Sequence, residues 1–142
     1  MEVSVLGHMY EGQNCSAARA LELVGERWSL LIIRDALFRE MTRFSDFQRS
    51  LGVAPNILAA RLDRFVEAGL MERHPGSAYR LTAKGRDLQP VLLALTAWGD
   101  TWAAPDGPPI RYAHDTCGGQ VHLRTHCTKC GQVPDRSEVI AV

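Results

Sequence analysis

Residues 52–70 read GVAPNILAARLDRFVEAGL, and this stretch decides the fold. Pro55 suits the first position of a helix, where its missing N–H would have no helical partner. Four apolar residues then recur at i, i+4, i+7 and i+8 and define a core face: Leu58, Leu62, Phe65 and Val66. The other side carries small, polar and basic side chains, so the helix is shaped to enter the major groove of DNA. An ordinary amphipathic helix with a solvated side gives a similar pattern.

The segment before it, FSDFQRSLG (44–52), predicts a second helix. Ser45 and Gln48 have the spacing of a capping box, which satisfies the free amides at a helix start. Gly52 suits the left-handed position just beyond a helix end. Two helices joined by the short connection Gly52–Pro55 predict a helix-turn-helix.

A hairpin follows in LMERHPGSAYRLT (70–82), with strands at 70–74 and 78–82 around a Pro-Gly-Ser turn. Thr82 is expected to cap a long helix over 83–103, in which Pro90 predicts a kink or a late start. Upstream, a helix over 15–28 capped by Ser16 and a buried helix over 29–38 are expected. The predicted fold is therefore mainly α with a small β-hairpin wing (α+β), a winged helix-turn-helix.

Charge is distributed unevenly although the 142-residue chain has no net charge. Residues 43–86 contain 8 basic and 4 acidic residues, whereas the segments on either side each contain 4 basic and 6 acidic residues. A contiguous basic block is typical of a nucleic-acid footprint, although chance clustering on a solvated face is equally compatible with charge alone.

The predicted contacts to double-stranded DNA come from three places: the polar side of the 55–68 helix, the start of the preceding helix and the hairpin. They are Arg43, Ser45, Pro55, Asn56, Ile57, Ala60, Arg61, Arg64, Arg73, His74, Ser77 and Arg80. Arginine pairs well with guanine and with phosphate, and asparagine pairs with adenine.

Four segments resemble, in order and spacing, the HxlR-type winged-helix transcriptional regulators of bacteria, which are MarR-like. They lie within residues 15–99: CSAARALELVGERWSLLIIRDAL, RFSDFQRSL, APNILAARLDRFVEAGLMER and YRLTAKGRDLQPVLLALTAWG. The resemblance implies a homodimeric repressor or activator whose first and last helices form the dimer. Ala54 departs from the serine common in the family, which removes a helix cap worth about 1 kcal/mol.

Cys15 lies just before the first helix, where thiol-based sensors of this family carry a cysteine. The positive end of a helix dipole favours the reactive form of a thiol. The resemblance therefore implies a candidate redox or electrophile sensor at Cys15, and a half-buried apolar role is the alternative.

The C-terminal segment HDTCGGQVHLRTHCTKCGQ (114–132) resembles the two knuckles of a zinc ribbon. Cys117, Cys127 and Cys130 supply three thiols, and His114 gives an H-x-x-C turn that matches C-x-x-C, so His114 is the preferred fourth ligand. His122 and His126 are the alternatives. A structural Zn²⁺ is expected, with a short strand over 121–125 between the knuckles; a metal-free hairpin with reduced thiols is the alternative.

The predicted domains are a DNA-binding and dimerisation domain over 1–103, a linker over 104–110 and the zinc-ribbon-like extension over 111–142. An apolar stripe on the last helix favours a homodimer over packing within one chain: Leu88, Val91, Leu92, Leu95, Trp98 and Trp102. A cavity between dimer helices could take a small-molecule effector.

The N-terminus lacks the features of a signal peptide and no apolar run is long enough to span a membrane, so a cytoplasmic, nucleoid-associated protein is expected. No catalytic constellation is apparent, so an enzyme is not expected. The alternative function is a protein-interaction module that uses the long apolar helix and the Cys/His ribbon, with vestigial DNA binding.

Overall fold

The structure is a computed structural model that describes residues 10–142. Six helices and one hairpin follow each other along the chain, which confirms the predicted fold class. The elements are α1 (Ser16–Val24), α2 (Ser29–Phe38), α3 (Phe44–Leu51), α4 (Pro55–Glu67), β1 (Met71–His74), β2 (Ala78–Leu81), α5 (Ala83–Arg86), α6 (Gln89–Trp102) and a 3-10 turn at Arg136–Glu138.

The chain divides between Leu92 and Leu93 into two compact units. The first holds α1 to α5 and the start of α6, and the second holds the rest of α6 and the C-terminal segment. The domain boundaries expected from the sequence stay a prediction. Residues 1–9, on which the expectation of no signal peptide partly rests, lie outside the described residues. Within residues 10–142, no helix is long and apolar enough to cross a membrane.

The core of the first unit lies between α2, α3, α4 and the hairpin. Ile32, Ile33 and Phe47 are fully buried there. The α4 face predicted from the sequence packs against them, with Leu58 and Leu62 fully buried and Phe65 nearly so. Burial of this face stabilises α4 far more than helix propensity does, since a short helix alone is marginal in water.

Two predicted helix caps are wrong. The N-cap of α1 is Cys15, whose Sγ accepts a hydrogen bond from the Ala18 amide at 3.3 Å, and Ser16 is already helical. The capping box of α3 does not form, because α3 begins at Phe44 and has Arg43 as an N-cap without a side-chain hydrogen bond. Arg43 forms an antiparallel bridge with Ala78 of the hairpin, which holds the chain extended up to the residue where the helix begins.

The turn between α3 and α4 has the predicted form. Gly52 ends α3 in the left-handed region, with φ of 64°, and Pro55 is the first helical residue of α4. Ala54 occupies the N-cap and supplies no side-chain hydrogen bond.

The hairpin pairs Met71 with Leu81 and His74 with Ala78 in antiparallel register, close to the predicted strands. The Tyr79 amide donates to the Thr42 carbonyl at 2.7 Å. Together with the bridge from Arg43, this hydrogen bond attaches the segment before α3 to the outer edge of β2.

The predicted long helix is divided into α5 and α6. Thr82 caps α5 as expected, since its Oγ1 accepts from the Gly85 amide. A Cβ at Gly85 would lie 2.2 Å from the Leu70 carbonyl oxygen, so only glycine lets α5 approach the hairpin this closely. α6 begins at Gln89 with Pro90 in its first turn, which confirms the late start.

The predicted strand over 121–125 is wrong. The pairing there is a single bridge between Ala113 and Gln120, with the Val121 amide donating to the Tyr112 carbonyl at 2.8 Å. For a longer ladder, residues 121–125 would have to pair with the segment that begins at Pro108 and Pro109. These prolines have no N–H to donate, so a longer ladder is disfavoured.

Candidate nucleic-acid interface

The exposed edge of α4 consists of small and polar residues. Pro55, Asn56 and Ala60 are exposed, and Ile57 is 36% exposed. With no charged side chain between residues 55 and 60, the backbone of the helix at this edge is accessible to a narrow partner. A helix about 10–12 Å wide fits the major groove of B-DNA.

Arg61 and Arg64, both predicted DNA contacts, point to the other flank of α4. The Glu26 carboxylate forms ion pairs with both guanidinium groups, with its Oε2 2.6 Å from Arg61 Nη1 and its Oε1 3.6 Å from Arg64 Nη1. The two arginine side chains are only 21% and 24% exposed. Their assignment as DNA contacts stays a prediction, and in this conformation they join α4 to the turn between α1 and α2.

Backbone carbonyls complete this arrangement. Arg64 Nη2 donates to the Glu22 carbonyl at 2.6 Å, and Arg61 Nε donates to the Arg27 carbonyl at 3.2 Å. The Glu22 side chain is 1% exposed and is paired with Arg19 at 3.1 Å. Within residues 10–142, the buried side-chain atoms without a hydrogen bond are Glu22 Oε2 and Arg64 Nε; both belong to this cluster, so its pairing is incomplete.

Glu22 and Glu26 were missed by reasoning from the sequence. A signal was present, because on a helical wheel Arg61 lies only about 40° from the apolar face of α4. A long side chain so close to the core is well placed to find a partner on a neighbouring helix. The partner itself could not be read from α4 alone.

The hairpin is joined to α4 by Arg73. Its guanidinium forms a short ion pair with Asp63, donates to the Tyr79 hydroxyl at 3.0 Å and lies over the Tyr79 ring. The hydrogen bond with Asp63 raises the pKa of Arg73 above its ordinary value, so this side chain stays charged. His74 lies 3.6 Å from Glu72, and Ser77 is exposed in the turn with φ of 58°.

Arg43 and Arg80 are the outward-facing cations of this surface. Both are exposed, and among the described residues neither guanidinium has an ion-pair partner. Ser45, two residues after Arg43, is also exposed. Arg49, also exposed, was not selected from the sequence; it is 3.5 Å from Asp46.

Contacts connect these parts into one surface. Asp63 of α4 holds Arg73 of β1, β1 pairs with β2, and Ala78 of β2 holds Arg43 at the start of α3. The exposed edge of α4, the hairpin and the two outward-facing arginines therefore lie next to one another, as a phosphate-binding surface requires.

The four predicted metal ligands fall into two pairs. His114 Nδ1 is 3.3 Å from Cys117 Sγ, and Cys127 and Cys130 lie in a second turn of similar form. Hydrogen bonds from the amides of Cys130 and Lys129 lower the pKa of the Cys127 thiol. Across residues 10–142, no group of three or more His, Cys, Asp or Glu side chains is close enough to hold a metal ion together. All four cysteines are free thiols.

The helix-turn-helix, the paired hairpin and the basic surface between them define a winged-helix protein, the class to which many transcriptional regulators belong. Residues 23–107 match the HxlR-like helix-turn-helix family. The chain belongs to this family and is a transcriptional regulator of the helix-turn-helix type.

Relatives extend over nearly the whole chain. Rv3095 of Mycobacterium tuberculosis, an uncharacterized HTH-type transcriptional regulator, is 47% identical over 139 residues, which cover 93% of this chain and 86% of that protein. The crystal structure of PA1607, solved as a candidate transcription factor, is 40% identical with a TM-score of 0.83 and covers 92% of this chain and 96% of that one. The part of this chain outside the match is shorter than the C-terminal segment 111–142. The match therefore includes at least some of that segment.

Quinone-bound YodB from B. subtilis matches a smaller share of the chain. It is 31% identical with a TM-score of 0.55, and the match covers 62% of this chain and 99% of that one. The match therefore leaves more than a third of this chain without a counterpart in that structure.

We expect Glu26 and Arg61 to be energetically coupled. In urea unfolding, the double-mutant cycle of Glu26→Ala and Arg61→Ala should give a coupling of about 0.5–2 kcal/mol, because the pair is largely shielded from water. The matched control is Asp46→Ala with Arg49→Ala, an exposed pair for which coupling should be close to zero. Equal coupling in the two cycles would show that Glu26 does not anchor α4.

Proposed function

We propose that this chain is a homodimeric regulator that binds specific double-stranded DNA, with α4 in the major groove and the hairpin on the phosphate backbone. The observation that carries the proposal is the continuous surface formed by the exposed edge of α4, the hairpin, Arg43 and Arg80. Arg43 and Arg80 face outward without ion-pair partners among residues 10–142, whereas the arginines of α4 are engaged within the protein.

The division of roles follows from the contacts. Asn56 and Ile57 are exposed in the first turn of α4, where a recognition helix meets base edges. Arg43 and Arg80, both on the hairpin side of that helix, can bind phosphates, and Ser45 and Ser77 can add hydrogen bonds. Arg61 and Arg64 are assigned a positioning role, since a direct contact would require them to leave Glu26.

Binding measurements on variants can separate these roles. Asn56→Ala should cost about 1–3 kcal/mol on the preferred duplex and relax its sequence preference. Arg43→Ala and Arg80→Ala should weaken binding to all sequences and each reduce the slope of log K against log salt by about 0.9. Fluorescence anisotropy on a duplex selected from genomic fragments at several salt concentrations measures both effects.

Arg124→Ala is the control for the loss of one exposed positive charge outside the winged helix, and it should bind like the wild type. If the wild type has no salt-dependent affinity for DNA, the proposal fails and the alternative of a protein-interaction module is favoured.

Homodimerisation is supported by the apolar side of α6. Val91, Leu95, Trp98 and Trp102 recur along one helix and are 46%, 51%, 63% and 71% exposed, respectively. An apolar stripe of this size on the surface of a regulator is typical of a protein–protein interface. A second copy of the chain is the partner that gives a two-fold symmetric reader of two DNA half-sites.

Trp98→Glu should convert the dimer to a monomer, because a carboxylate buried in an apolar interface without a partner is strongly unfavourable. Size-exclusion chromatography with light scattering measures the mass directly. Ile140→Glu places the same charge at another exposed apolar residue and should leave the dimer intact. A wild-type chain that is monomeric at high micromolar concentration would contradict the proposal.

We further propose that electrophiles act through Cys15. Its thiol is exposed and caps α1, and a relative has been solved in a quinone-bound form. In a reaction with a quinone, the sulfur adds to a ring carbon and the thiol proton moves to a ring oxygen. The modified sulfur can no longer accept the hydrogen bond from the Ala18 amide in the same geometry, so the start of α1 loses its cap.

Cys15→Ser should abolish the effect of benzoquinone on DNA affinity while preserving the fold, since serine is a favoured N-cap. Anisotropy with and without benzoquinone, followed by mass spectrometry of the adduct, tests this. Cys130→Ser retains Cys15 and should respond like the wild type. A Cys15→Ser protein that loses DNA affinity to the same extent as the wild type would rule out Cys15 as the sensor.

A further inference from the structure

The two Cys/His turns of the C-terminal segment have the same backbone hydrogen bonds. In the first turn, the His114 amide donates to the Gly119 carbonyl at 2.7 Å and the Gly118 amide donates to the His114 carbonyl at 2.8 Å. In the second turn, the Cys127 amide donates to the Gln132 carbonyl and the Gly131 amide donates to the Cys127 carbonyl, both at 2.8 Å. The pattern equates position 114 with 127 and position 117 with 130.

The glycines of the two turns are equivalent as well. Gly118 and Gly131 have φ of 71° and 74°, a left-handed conformation that glycine adopts without strain. In each turn this glycine directly follows the second ligand-type residue, Cys117 or Cys130. The backbone then turns back over the sulfur, and the Gly119 amide donates to Cys117 Sγ at 3.4 Å.

The side chains of the first turn already have the spacing of two ligands on one metal. His114 Nδ1 and Cys117 Sγ are 3.3 Å apart. Zinc bonds of about 2.0–2.1 Å to nitrogen and 2.3 Å to sulfur at a tetrahedral angle place such a pair about 3.6 Å apart. His122 and His126 lie outside both turns, so neither is equivalent to a cysteine of the other turn.

The C-terminal segment lacks an apolar core of its own. No side chain between residues 103 and 142 is fully buried. A segment of this length without an apolar core usually depends on a disulfide or a metal for its order. The four cysteines are free thiols, so a disulfide does not stabilise the segment, whereas a metal bound by these thiols would.

We propose that His114, Cys117, Cys127 and Cys130 bind one Zn²⁺ that joins the two turns, a structural site independent of DNA binding. On binding, the three thiols lose their protons to solvent and the neutral imidazole supplies the fourth ligand, so the site carries one negative charge. Because the four side chains do not converge as a group in the described residues, the metal has to draw the turns together. His114, Cys117 and Cys130 are exposed, which leaves them free to make that movement.

The test is metal analysis of the full chain, purified without chelator under reducing conditions, with thiol titration and Co²⁺ reconstitution as further readouts. The wild type should contain one zinc per chain, and its Co²⁺ form should show sulfur-to-metal charge transfer and tetrahedral d–d bands. Cys127→Ser should lose the metal, and His114→Asn should weaken Co²⁺ binding by about tenfold or more.

The controls are His122→Asn and His126→Asn, which should bind metal like the wild type. Less than half an equivalent of zinc in the reduced wild type after reconstitution, with thiols that titrate as free, would overturn the site. Loss of metal in His126→Asn or His122→Asn but not in His114→Asn would overturn the ligand set. A Cys127–Cys130 disulfide that persists under reducing conditions would also overturn it.

Discussion

The orientation of α4 depends on the Glu26 carboxylate. This one group lies between Arg61 and Arg64 and ties the middle of α4 to the turn between α1 and α2. The apolar face of α4 fixes the depth at which the helix packs, but hydrophobic contacts are non-directional and leave rotation about the helix axis less defined. Charge-assisted hydrogen bonds on one flank define that rotation. They thereby decide which residues of α4 remain at the exposed edge.

The basic block of the sequence is thus divided between two tasks. Arg61 and Arg64 are used inside the protein, and Arg73 holds the hairpin to α4 through Asp63. Arg43 and Arg80 face outward. A count of charges along the sequence does not distinguish these arginines. In the fold of residues 10–142, Arg61, Arg64 and Arg73 lie next to a carboxylate that pairs with them, and Arg43 and Arg80 do not.

The local features of the fold were predictable from the sequence because they depend on neighbouring residues. Pro55 and Gly52 fix the turn through backbone conformation, and the spacing of Leu58 and Leu62 defines a buried face whatever it packs against. The partners of Arg61 and Arg64 were not predictable, since they lie far away in the sequence, in α1 and in the turn that follows it. The cap of α1 was misassigned because a thiol accepts hydrogen bonds more weakly than a hydroxyl, yet Cys15 lies at the right place and Ser16 does not. The prediction of a strand over 121–125 was wrong because alternating apolar and polar residues along one segment do not provide a partner segment with free amides.

The hydrogen bond between Cys15 and Ala18 sets a limit on how strongly the start of α1 can influence the rest of the protein. An N-cap is worth about 0.5–2 kcal/mol. Loss of the cap can therefore shift an equilibrium between two conformations by roughly 2- to 30-fold, whereas a change from almost fully one state to almost fully the other takes about 5.5 kcal/mol. A change at this sulfur alone would therefore give a graded response, and an all-or-none response would require further interactions to change with it.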